Sequence, residues 1–138
     1  MSLVFDTGPL FAALDADDAH HRRCADLLST HTEQRVIPAP VLPELAYWIA
    51  QRLRSEHLVA LLEDVRAGVY RIEDLQASDY DRVIDICRTY RDTPVGFVDA
   101  AVLAIVERLN EPKLATLDHR HFRMMRPRHV ESLALLPE

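Results

Sequence analysis

Residues 100–106, AAVLAIV, are apolar on every side of a helix. A helix without a polar face must be covered all round, so it cannot lie on the surface of a simple bundle. Asp99 stands directly before this run and is the only ionisable group between Asp92 and Glu107. A carboxylate at the head of a buried helix needs either a partner or a purpose.

The rest of the chain supplies layers to cover that helix. Apolar strands are expected at 3–5, 35–37, 69–72, 114–116 and 133–136. Helical stripes alternate with them. A turn opens at Gly8-Pro9, and a helix capped by Asp18 carries Cys24, Leu27 and Leu28. Leu45, Trp48, Ile49 and Leu53 form a third stripe; Leu58, Leu61, Leu62 and Val65 a fourth, after a Ser55 cap. Tyr80, Val83, Ile84 and Cys87 form a fifth, after Ser78. Short strands alternating with helices predict an α/β domain with a mainly parallel sheet between helix layers. The 138 residues suit one domain, 1–138.

Composition removes whole classes of protein. Apolar residues make up 49%, too many for a disordered chain. No window approaches ~18 uninterrupted apolar residues, so no membrane span is expected. The N-terminal MSLVFD has no basic region or signal-type apolar run, which predicts a cytoplasmic chain. Cys24 and Cys87 lack metal spacing and read as small core residues. Three glycines leave little room for a phosphate-cradling loop. The net charge is −6, yet residues 119–130 carry Arg120, Arg123, Arg126 and Arg128 without an acid. An acidic body with one basic segment suits an acidic pocket with a basic rim, or equally a solvated Arg-rich tail.

Sites in parallel sheets form at the carboxyl ends of strands. Asp6 leaves the first strand, Asp118 follows the fourth, Asp99 heads the buried helix, and Glu44 opens the helix after the second strand. Each acid taken singly has a structural reading as a cap or a first-turn complement to a helix dipole. Their joint placement at one sheet edge is harder to explain that way. Carboxylates gathered in one place repel and take up protons unless a cation joins them. An all-oxygen set suits Mg²⁺ or Mn²⁺; zinc would want nitrogen or sulfur. A zinc site from His119 and His121 has poor helical spacing. Asp6-Thr7-Gly8 also matches the aspartic-protease signature, but that fold is built of strands. A dehalogenase-type phosphatase needs a second Asp where Gly8 stands, and a response-regulator receiver needs an Asp and a Lys that Asp74 and Lys113 do not supply.

Four segments then converge. V-F-D-T-G-P-L at 4–10, the Pro43-Glu44 helix start, P-V-G-F-V-D-A-A-V at 94–102 and L-A-T-L-D-H-R-H-F at 114–122 span almost the whole chain. In these the chain resembles the PIN-domain family and, within it, the VapC toxins of type II toxin–antitoxin (VapBC) pairs. The resemblance implies a three-layer α/β/α domain with a central, mainly parallel sheet of about five short strands. It implies an endoribonuclease dependent on Mg²⁺ or Mn²⁺, with Asp6, Glu44, Asp99 and Asp118 catalytic. Asp6, Asp99 and Asp118 would hold metal, and Thr7 and Thr116 would support them. Arg120, Arg123, Arg126 and Arg128 would meet RNA. It also implies a homodimer, with residues 41–66 as the candidate surface, and a VapB-type antitoxin. The antitoxin would form a hetero-oligomer and place a basic side chain in the acidic pocket. Two alternatives stand beside this: a module that binds RNA or protein without cleavage, and a processing nuclease that is not a toxin.

Overall fold

The structure, a computed structural model, describes residues 1–138. Five strands form one parallel sheet: β1 (Ser2–Phe5), β2 (Gln34–Pro38), β3 (Tyr70–Glu73), β4 (Lys113–Ala115) and β5 (Ala134–Leu136). Their spatial order is β3-β2-β1-β4-β5. Seven helices connect them: α1 (Thr7–Leu14), α2 (His21–Thr30), α3 (Val41–Arg52), α4 (Ser55–Arg66), α5 (Ala77–Thr89), α6 (Phe97–Arg108) and α7 (His119–Met124). Parallel crossovers are right-handed, so a sheet that grows from β1 in both directions carries helices on both faces. The helices pack accordingly, α1 on α2 and α3, α3 on α4, and separately α5 on α6 and α6 on α7. The three-layer α/β fold expected from the sequence is the one observed.

The core sits where the hydropathy pattern demanded it. β1 is buried at all four positions, and residues 100–106 of α6 are buried without exception. Asn110, at φ 56°, takes the left-handed conformation that ends α6, and the Glu111 N–H returns to the Val106 carbonyl. The buried Glu111 then accepts from both the backbone N–H and the hydroxyl of Ser2, tying the end of α6 to the start of β1. No helix is long and apolar enough to cross a membrane.

Several local expectations are corrected. Asp18 accepts from the His20 N–H in a turn before α2 and does not cap it. Ser55 and Ser78 lie inside the first turns of α4 and α5, one or two residues past the caps. Cys87 is exposed, whereas Cys24 is buried as expected. α5 buries Asp79, Val83 and Ile86, leaving Tyr80 and Ile84 in solvent. Trp48 is 40% exposed rather than part of the α3 core stripe.

Candidate active site

The strand order reverses direction between β1 and β4, and a crevice opens at such a switch point beyond the carboxyl ends of the strands. Val4 and Phe5 pair with Leu114 and Ala115, so Asp6 and Thr116 emerge side by side as the next pair. The Asp6 N–H donates to the Ala115 carbonyl, which fixes that register (2.8 Å). α1 begins at once. Its Gly8 passes so close to Leu117 that an added Cβ would lie 3.2 Å from the leucine Cβ. A larger residue at position 8 would require the Leu117 side chain to give by a few tenths of an ångström.

A cavity of about 600 Å³ occupies this crevice. Asp6, Glu44, Asp99 and Asp118 all line it, each from a different part of the chain. The fold thus brings all four predicted acids together. Asp6 caps α1: its Oδ1 accepts from the Thr7 N–H (2.8 Å) and its Oδ2 from the Thr116 hydroxyl (2.9 Å). The same Thr116 oxygen accepts from the Asp118 N–H (3.0 Å). One threonine therefore sets the spacing between two of the acids. The Thr7 hydroxyl donates to Glu44 Oε1 (2.5 Å), holding the third. Both expected supporting hydroxyls make these contacts.

Asp118 caps α7 by accepting from the His121 N–H (3.2 Å). The His121 ring follows, with Nδ1 2.6 Å from Asp118 Oδ2 and 3.4 Å from Asp99 Oδ2. Asp99, Asp118 and His121 offer ligand atoms within 4.8 Å of one another, a set able to hold a metal ion. This triplet differs from the expected Asp6, Asp99 and Asp118: it gains an imidazole, and Asp6 lines the cavity outside it. His119 turns away, its Nε2 3.1 Å from the Thr116 carbonyl, which removes a His119–His121 pair as a metal site.

Electrostatics mark the same place. Burial raises the Asp6 carboxyl from 3.8 to about 6, and the nearby Asp99 and Glu44 charges add to the rise against its hydrogen bonds from Thr7 and Thr116. Burial also raises Asp99, followed by the charge of Asp118. No Lys or Arg forms an ion pair with any of the four acids. The donor set fits a hard or borderline divalent cation: carboxylate oxygens and one imidazole, with no ion pair to a lysine or arginine.

Three further side chains stand at the site: the sequence alone places His121 only beside phosphates or in a zinc pair with His119, Trp48 only in the apolar stripe of α3, and Arg52 in no role. His121 follows Asp118 by three residues, the spacing that returns a side chain to the helix cap. Trp48 and Arg52 follow Glu44 by four and eight residues on α3 and line the cavity beside it. None of Arg120, Arg123, Arg126 or Arg128 lines it. Arg120, Arg123 and Arg126 are exposed, and Arg128 pairs with Asp85 at 2.6 Å.

A parallel sheet with acids gathered at its switch point defines a class, and the comparisons agree on which. The chain belongs to the PIN-domain family, whose model matches residues 3–126. It is 27% identical over 125 residues to the ribonuclease VapC26 of Mycobacterium tuberculosis, covering 91% of this chain and 93% of that protein. The fold is similar to that of VapC20 of M. tuberculosis, described as a sarcin–ricin loop cleaving toxin. The TM-score is 0.81 at 19% identity, covering 94% of this chain and 98% of that one. It is also similar to VapBC2 of Rickettsia felis, solved with a DNA fragment from its promoter. There the TM-score is 0.71 at 17% identity, covering 98% and 97%.

Proposed function

We propose that this chain is a metal-dependent endoribonuclease and the toxin of a toxin–antitoxin pair, its residues 1–138 forming one PIN domain. One observation carries the reading: four carboxylates from four parts of the chain line one cavity, and none of them forms an ion pair with an arginine or lysine. The relative named a ribonuclease and the solved relative named a toxin support it.

Asp99, Asp118 and His121 would hold Mg²⁺ or Mn²⁺, with Asp6 and Glu44 lining the same cavity. When bound, a divalent cation lowers the pKa of a ligated water and neutralises the phosphate under attack. The chain's own residues do the rest. Asp6, fixed by two donors, and Glu44, held by Thr7, stand ready to accept the proton of the attacking water. Thr116 keeps Asp6 and Asp118 at constant spacing. Asp118 orients the His121 ring, whose Nδ1 it holds.

Arg120, Arg123 and Arg126, exposed on and after α7, would draw the RNA backbone to the rim. Arg128, engaged by Asp85, is the weakest member of that set. A VapB-type antitoxin would insert a cation among the acids, where it gains several charge-assisted hydrogen bonds. The exposed Val59 and Leu62 of α4 support a homodimer through residues 41–66. The pair would act in the cytoplasm.

The test is RNA cleavage by the purified protein with Mg²⁺, with Mn²⁺ and with chelator, beside Asp99→Asn. Cleavage that needs metal and is lost in the variant is the expected result. No cleavage of several RNA classes, with metal binding established, overturns the nuclease in favour of a binding module. Growth arrest on expression, relieved by the neighbouring gene product, separates a toxin from a processing nuclease.

A further inference from the structure

One face of α3 carries Glu44, Trp48 and Arg52 at successive four-residue steps, and all three line the cavity. Side chains at i and i+4 stand one above the other about 6 Å apart along a helix. The row therefore runs carboxylate, aromatic ring, guanidinium, leading outward from the acids. That step is comparable with the distance between neighbouring phosphates of an extended strand.

The two outer members have no structural task that accounts for their position. α3 anchors itself through Val41, Leu45 and Ile49, while Trp48 stays 40% exposed. Arg52 is the only basic side chain lining the cavity, and it makes no ion pair. Its Cζ lies over the indole, 5.3 Å from the ring centroid, and Tyr47 meets the same ring edge-on at 5.3 Å. The ring is thus held in place before any ligand arrives. A strand of RNA must also be anchored beside carboxylates that repel it. A neutral aromatic surface gives affinity there without altering the charge at the acids.

We propose, resting on the nuclease reading above, that Trp48 is a base-binding residue that selects an unpaired nucleotide. Its indole stacks on a nucleobase next to the scissile phosphate, while Arg52 meets the following phosphate. Stacking of one base on an aromatic ring outweighs the exposed cation–π contact it competes with. The substrate is then single-stranded at this point, because bases in a duplex already stack on one another.

Trp48 is the sole tryptophan of the chain, so intrinsic fluorescence reports on this ring alone. The experiment measures cleavage of short single-stranded oligoribonucleotides by the unsubstituted protein, Trp48→Ala and Trp48→Phe. The oligonucleotides include a series made abasic at one nucleotide at a time. Trp48→Ala should raise KM about tenfold with little change in kcat, and Trp48→Phe should recover most of the loss. One abasic position should cost the unsubstituted protein a similar factor and cost Trp48→Ala almost nothing. RNA should quench the fluorescence of Asp99→Asn, which binds without cutting. An unchanged KM in Trp48→Ala, or an abasic penalty that persists in it, overturns the proposal. So does a Trp48→Ala that cleaves normally but loses a protein partner, which would make the ring a protein anchor. If the unsubstituted protein cleaves none of these RNAs, the nuclease reading itself fails first.

Discussion

The molecule gathers four carboxylates in two places and treats them in opposite ways. Beside α5 and α6, Glu73, Asp79, Asp85 and Glu107 meet four arginines, of which Arg71 lies 2.7 Å from Glu73. Arg82 grips Glu107 through two nitrogens (2.7 and 2.9 Å) and reaches Asp85 (2.8 Å). Arg108 joins Asp79 (3.0 Å) to Glu73 (2.9 Å), and Arg128 completes the set at Asp85. In the cavity, Asp6, Glu44, Asp99 and Asp118 meet one histidine and no arginine within ion-pair distance. Paired carboxylates hold helices together. Unpaired ones store repulsion, which a stable domain tolerates only where a ligand relieves it. The number of acids does not separate a structural cluster from a site; the missing counter-charge does.

The largest effect expected from this contrast divides activity from stability. Asp118→Asn should lower the rate of metal-dependent RNA cleavage about 10³-fold, equivalent to about 4 kcal/mol of barrier, and leave the melting temperature of the metal-free protein the same or higher. Glu107→Ala should do the reverse. It removes two charge-assisted hydrogen bonds and leaves the largely buried Arg82 guanidinium with Asp85 alone, so about 2 kcal/mol of folding stability should be lost, while folded molecules cleave at the unsubstituted rate. Initial rates and denaturant titrations on both variants check the pair. Equal loss of activity in both would dissolve the distinction.

Next in size is the pH dependence of the metal-free protein. Asp6 is only 7% exposed, and its carboxyl rises from 3.8 unfolded to about 6 folded. The folded state therefore binds this proton more tightly than the unfolded state. Its contribution is complete below about pH 4 and is lost as pH rises through about 6, a decline of about 3 kcal/mol. Divalent cations should reverse the decline, stabilising the protein strongly at pH 7 and weakly at pH 4. Asp6→Asn should flatten the curve and weaken the response to metal. Thermal melts across pH, with Mn²⁺ and with chelator, measure both. A metal-free protein more stable at pH 7 than at pH 5 would sink the account.

The same contrast explains what the sequence disclosed. The four acids, Thr7 and Thr116 were legible because each sits at the end of an element whose start or finish is locally signalled. The α6 run was legible because a wholly apolar helix has one placement in a layered fold. The face of α5 was not. Tyr80, Ile84 and Cys87 follow helical spacing as well as Val83, Ile86 and Tyr90 do. Local periodicity cannot choose between two interleaved stripes. The choice rests on Arg82 reaching Glu107 and Arg108 reaching Asp79, partners 25 and 29 residues away. Trp48 was misplaced for a related reason: it fits the apolar stripe of α3, and only the crevice beside Glu44 gives it another place to go.

The smallest effect tests where the two clusters end. Residues 119–130 read as one basic patch, yet the fold divides them. Arg120 and Arg123 ride on α7, which begins at the cavity with Asp118 as its cap. Arg128 turns to Asp85, and its N–H donates to Glu107 Oε2 (2.9 Å), placing it in the paired cluster. The Arg128 side chain is 62% exposed and Asp85 47%, so the pair is worth less than about 1 kcal/mol and weakens further in salt. Arg128→Ala should therefore lower stability by less than that amount and leave the KM for RNA unchanged. Arg120→Ala combined with Arg123→Ala should raise KM and reduce the salt dependence of RNA binding, because each cation lost is one fewer counterion released. Binding isotherms at several salt concentrations separate the cases. A reduced salt slope in Arg128→Ala would extend the nucleic-acid rim into the structural cluster. A slope unchanged in the double variant would confine RNA contacts to the cavity itself.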